Sequence, residues 1–158
     1  MIQRIQSVLL ALAAAAVLLL FAVPLVAYDR ADQQRLTMTL TGVELADGTP
    51  VQDVRFQMPL HVLAAVLAGL WLALIFLYRD RSRQARLARY SQLIGATLVV
   101  ALWITHRSVA AYLEQGEGLS YVLQPGFFLP IAGMLLVFLA ERAIRKDEAL
   151  VRSADRLR

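Results

Sequence analysis

Apolar positions along this chain fall into four blocks separated by polar stretches. The first runs from Ile5 to Tyr28 and contains LLALAAAAVLLLFAVPLVA, with Pro24 near its end. The second runs from Met58 to Tyr78; it opens at Pro59, where a missing N–H does no harm, and closes on an aromatic suited to a membrane interface. The third covers Leu93 to Leu113 and carries His106 and Arg107 towards its end. The fourth, Gly126 to Ala140, is short alone and reaches spanning length when the apolar residues before it join. A helix that crosses a bilayer needs about 20 mostly apolar residues. The pattern therefore predicts four spans, approximately 5–28, 58–78, 93–113 and 121–141. The first block is too long for the 7–15 residue core of a signal peptide, which favours an uncleaved anchor.

The polar stretches have patterns of their own. Leu36, Met38 and Leu40 alternate with Thr37, Thr39 and Thr41, the period of a half-buried strand. The parity shifts at Gly42 to Val43 and Leu45, as a bulge would require, and Asp47-Gly48 offers a turn. Val54, Phe56 and Met58 then read as a returning strand, so a β-hairpin over 35–57 is expected outside the membrane. Residues 79–92 read as an Arg-rich loop, and Glu114 to Pro125 as a second outer loop with Tyr112 and Tyr121 as interfacial anchors. The fold expected is an all-α integral membrane protein, a four-transmembrane-helix bundle with a small hairpin between its first two helices.

Composition agrees with lipid as the solvent. The 158 residues are 59% hydrophobic, above the roughly 45–50% of a soluble domain. The absence of cysteine excludes disulfides and thiolate-held metal. Fifteen of the 16 basic residues are arginine, but they lie beside apolar blocks, which points to phospholipid headgroups and away from nucleic acid. Orientation follows from where they fall. With the N-terminus inside, 12 Lys and Arg are inside and four, Arg30, Arg35, Arg55 and Arg107, are outside. That bias predicts an inner-membrane protein with both termini cytoplasmic. Arg79, Arg81, Arg83, Arg86 and Arg89 are the candidate headgroup contacts.

Candidate chemistry within the spans is sparse. His61 and His106 fall at similar depth, where two imidazoles on facing helices could hold a haem; the ordinary reading is a pair of interfacial histidines. Arg107 is an intramembrane charge, answered by snorkelling or by Glu114 seven residues on. Together His61, His106 and Arg107 are the candidate ligand contacts at the outer mouth. No nucleophile–base pair, acidic relay or phosphate loop occurs, so no catalytic residue, metal or cofactor is expected. Small residues at Ala13 to Ala16, Ala65, Gly69, Gly95 and Ala96 permit close helix packing.

The C-terminal stretch 142–158 is charged and free of proline and glycine. On a helix, Glu141, Arg145, Glu148, Arg152 and Asp155 form a ladder of alternating sign. Ala143, Leu150, Ala154 and Leu157 form an opposite seam, interrupted by Asp147. The fourth helix is thus expected to extend into the cytoplasm, with the seam as a partner-binding surface.

The opening MIQRIQSVLL and the closing AERAIRKDEALVRSADRLR resemble a bacterial membrane family, mainly from Bacteroidetes, known as domain of unknown function family 4293. The resemblance extends through FLYRDRSRQARLARYSQLI and the Leu129-Pro130 pair. It implies a four-span inner-membrane protein and supplies no catalytic or ligand residues. The function expected is that of a non-enzymatic accessory or scaffolding subunit. It would meet membrane lipids and bind a protein partner, or a second copy of itself, through tail and hairpin. Binding or transport of a lipid or small amphiphile at the outer mouth is the alternative, and a haem or quinone redox subunit the third reading.

Overall fold

The computed structural model describes residues 2–30, 34–51, 56, 58–114 and 118–155. Four helices and four strands follow in chain order: α1 (Ile2–Leu18), β1 (Val26–Arg30), β2 (Arg35–Met38), β3 (Val43–Leu45), α2 (Leu60–Phe76), α3 (Arg81–Leu113), β4 (Leu119–Leu123) and α4 (Pro125–Asp155). Short 3-10 turns, Leu19–Phe21 and Leu77–Arg79, finish α1 and α2.

Each helix hides one stripe and shows another. On α2, Leu60, Ala64, Leu67, Ala68, Trp71 and Leu74 are buried, stepping by three and four as one helical face does. Yet its other face is equally apolar, with Val62, Val66, Leu72 and Phe76 exposed. The same holds on α1 (Val8, Leu12), α3 (Leu93, Val100, Ile104) and α4 (Ile131, Leu135, Phe138). So much contiguous exposed hydrocarbon is foreign to a soluble monomer. Two helices, Arg81–Leu113 and Pro125–Ala149, are long and apolar enough to cross a membrane, while Ile5–Phe21 and Leu60–Phe76 are shorter apolar helices. α1 packs against α2 and α4, and α3 against the same two.

Trp71 sits where these contacts converge. Its indole N–H donates to Ser91 Oγ on α3 at 3.0 Å, and Ser91 donates in turn to the Ala88 carbonyl at 2.7 Å. Its ring lies against Gly133 of α4, where a Cβ would stand 2.7 Å from Cζ3. Gly126, at the other close approach, lies so near the Pro24 carbonyl that no side chain fits.

The strands form one antiparallel sheet in the order β3-β2-β1-β4. Val26 stands opposite Met38 on one side and Leu123 on the other, and Tyr28 opposite Leu36 and Tyr121. As an inner strand, β1 buries Val26, Ala27 and Tyr28 in succession. It touches α3, and β4 leads directly into α4, so the sheet sits at one end of the helices. Arg30 ties the two together by donating to the Leu113 carbonyl at the C-terminus of α3, 3.4 Å away. By connectivity, the first residues of α1 and the last of α4 lie at the opposite end.

The all-α, four-span expectation is overturned. The sheet takes residues assigned to the ends of two spans: 26–28 of the first and 121–123 of the last. Among the described residues only two helices have spanning length and apolarity. The physical reason is that β1 is buried on both faces and β4 is apolar, so both read as continuations of the adjoining helices. Two smaller corrections follow. The parity shift at Gly42 marks a reversal, not a bulge: β2 and β3 pair, and the Thr39 N–H donates to the Gly42 carbonyl at 2.8 Å. Buried Leu40 kept the alternation running into that turn. The Arg-rich segment 79–92 is not a loop, because α3 starts at Arg81. Asp80 caps it, accepting from the Arg83 N–H at 3.0 Å. Asp47-Gly48 does turn, with Gly48 at φ 82°. The Thr49 hydroxyl and N–H both donate to the Asp47 carboxylate and hold its pKa below the ordinary value. Of the expected returning strand, Val54 lies outside the described residues, and Phe56 and Met58 are not in a strand.

Candidate functional site

The end of the helices away from the sheet is dense in charge. Segments 79–92 and 141–149 hold eight basic and four acidic side chains. Helical geometry makes this a patterned surface. In α3, Gln84, Ala85, Ala88 and Ser91 turn inward, leaving Arg83, Arg86 and Arg89 exposed. In α4, Glu141 and Ile144 are buried while Arg142, Arg145 and Lys146 are exposed.

Ion pairs join the two helices across that surface. The Glu141 side chain is only 10% exposed and accepts from Arg89 Nε at 3.1 Å and from Arg145 Nη2 at 2.6 Å. Further out, Arg81 Nε lies 3.3 Å from Asp147, at 31% and 15% exposure. Partly buried, two-donor geometry of this kind contributes more than an ordinary surface pair. Gln92 Nε2 donates to the Met134 carbonyl at 2.9 Å, and Gln84 Nε2 to the Leu74 carbonyl of α2 at 2.9 Å. The charged segments are thus clamped into one body. Arg81, the first residue of α3, meets Asp147, and Glu148 and Ala149 still flank Ser82 and Arg86, so α4 continues past α3 from residue 150 to Asp155. That projection is about 9 Å long.

At the sheet end the polar group is His106, fully buried in α3. Its Nδ1 lies 2.8 Å from the Tyr28 hydroxyl, which also reaches Met38 Sδ at 3.7 Å. Tyr121, Trp103 and Phe127 surround the imidazole, with ring centroids 4.7, 5.6 and 6.4 Å away. Burial, with a smaller contribution from Tyr121, raises the Tyr28 pKa, so its hydroxyl stays neutral. Either Tyr28 donates to Nδ1, or Nδ1–H donates and the hydroxyl turns to Met38. In both cases Nε2 is without a hydrogen-bond partner among the described residues.

The sequence-selected residues separate accordingly. His61, on the first turn of α2, and Arg107 are exposed, whereas His106 is enclosed and bonded to Tyr28. No group of three His, Asp or Glu suited to a metal occurs among the described residues. Of the five arginines, Arg81 and Arg89 pair with α4, Arg83 pairs with Asp80 at 2.9 Å, and Arg86 is exposed. The Arg79 side chain lies outside the description. On the tail seam Ala143 is half-buried, while the side chains of Leu150, Ala154 and Leu157 lie outside it. Tyr28 was missed because it lies inside an apolar run. Asp147 interrupts the apolar seam because it faces the Arg-rich start of α3, where it meets Arg81.

Across residues 2–157 the chain matches the model of one family, described as Domain of unknown function (DUF4293). No curated protein matches it.

Proposed function

The chain belongs to the DUF4293 family, whose function is unknown, and from that premise we propose that it is a non-enzymatic accessory or scaffolding protein of the bacterial inner membrane. In this reading α3 and α4 cross the bilayer, α1 and α2 share their apolar belt, and the sheet faces the extracytoplasmic side. Both ends of the chain are cytoplasmic. The basic excess at the end of α3 and α4 away from the sheet supports this orientation, because Lys and Arg collect on the cytoplasmic side. The exposed apolar faces of all four helices support the membrane itself.

One observation carries the scaffolding role. The last turns of α4 project beyond α3 as helix, held at their base by Arg81–Asp147 and by Arg89–Glu141–Arg145. A helix end that runs past the helix it packs on is stabilised mainly by what covers its apolar face. The spacing of Ala143, Leu150, Ala154 and Leu157 provides such a face for a protein partner.

Affinity purification in mild detergent, comparing the native chain with a Leu150→Glu/Leu157→Glu variant, tests this. A partner in fixed stoichiometry is expected with the native chain and absent with the variant. A partner retained by the variant, or none with either, contradicts the role. A second copy of the chain as that partner would make the tail a homo-oligomer contact.

A further inference from the structure

The α3–α4 junction on the outer surface holds two grooves in line. One is a slot of about 560 Å³ lined by residues including Ala96, Val100, Met134 and Phe138, with no polar surface in its walls. The other, of about 330 Å³, is lined by residues including Ser82, Arg86, Arg145 and Glu148. The register between the helices, set by Arg89–Glu141 and Gln92–Met134, puts the charged groove at the end of the slot away from the sheet. Gly95 deepens the slot's floor, for without a side chain there Met134 packs against the α3 backbone.

The dimensions and charges fit one kind of occupant. From Gln92 to Val100 the slot runs about 12 Å along the helix, close to the roughly 15 Å depth of one leaflet's hydrocarbon. Arg86 lies about 9 Å further on, at headgroup level. It has no ion-pair partner among the described residues, and Arg145 shares Glu141 with Arg89. Arg145 therefore retains donors for another anion, since a guanidinium carries five. Two arginines face one carboxylate, Glu148, in this mouth. An apolar slot with two guanidinium groups and a single carboxylate in the groove beyond it is complementary to a chain-bearing phosphate. We propose that the α3–α4 cleft seats one anionic glycerophospholipid, its acyl chain in the slot and its phosphate on Arg86 and Arg145.

The proposal rests on the membrane placement above, and the two fail differently. Full-length protein would be purified in mild detergent, exchanged with phosphatidylglycerol or phosphatidylcholine, and weighed intact by native mass spectrometry. One retained phosphatidylglycerol per chain is expected, with about ten-fold weaker retention in Arg86→Gln. Ala96→Trp, which fills the slot, should abolish retention, and Arg83→Gln, outside the groove, should not change it. Equal retention of the two lipids, or retention unaffected by Arg86→Gln, overturns the site. So does a dimer cross-linked through Val100→Cys, which would show the slot covered by a second copy. Arg86 is a surface residue, so its variant reads binding even if Ala96→Trp does not fold. The membrane placement fails instead if the chain stays in solution without detergent.

Discussion

Trp71 and Gly133 make a two-residue lock at the centre of the protein. The indole reaches α3 by its hydrogen bond to Ser91, and the ring occupies space that only glycine leaves free on α4. A methyl at residue 133 would meet the ring at 2.7 Å and the Ala13 carbonyl at 3.3 Å, so either α4 or the indole must move. Gly133→Ala should destabilise by about 1–3 kcal/mol, the usual range for overpacking. Gly69, with nothing within 4 Å of its would-be Cβ, should accept alanine without loss. Thermal unfolding of both variants in the same detergent checks the contrast; equal midpoints would show the lock to be slack. At this scale the sequence is only partly legible. Gly133 and Gly69 look alike in it, each a glycine in an apolar run, and only the packing of Trp71 separates them. His106 was visible as an oddity, but its partner was not, because Tyr28 approaches from a strand 78 residues away in sequence.

At the scale of elements, the charged extension of α3 and α4 depends on ion pairs between helices. Double-mutant cycles separate these from ordinary surface pairs. Arg89 with Glu141 should couple by about 1 kcal/mol, since the carboxylate is nearly enclosed although the guanidinium is half in water. Arg35 with Asp29, 3.8 Å apart and well exposed, should couple by a few tenths at most. Coupling near zero at Arg89–Glu141, measured by chemical unfolding, would mean that the clamp does not hold the helices together. The length of the apolar blocks made α2 and the apolar parts of α3 and α4 legible as helix, and the charge ladder in the tail pointed to a continuation of α4. The strands beside helix ends were not legible, because a strand buried on both faces has the same uninterrupted apolar pattern as lipid-facing helix. The start of α3 was hidden for the opposite reason. Its exposed arginines dominate the segment, while the inward stripe of Gln84, Ala85, Ala88 and Ser91 is small and partly polar.

At the scale of the whole molecule, apolar faces wrap the helices, a small sheet covers one end, and the basic surface with the projecting α4 forms the other. Partner docking and lipid seating both depend on which end meets the cytoplasm. The chain contains no cysteine, so single introduced thiols report without background. Thr41→Cys places a thiol on the exposed turn between β2 and β3, and Ser153→Cys places one near the end of α4. Labelling by a membrane-impermeant maleimide, before and after the inner membrane of spheroplasts is opened, is the most direct measurement. The predicted result is that residue 41 reacts in intact spheroplasts and residue 153 reacts only once the membrane is opened. Reaction at both positions in intact spheroplasts, or at residue 153 alone, would contradict the placement of the basic helical end in the cytoplasm.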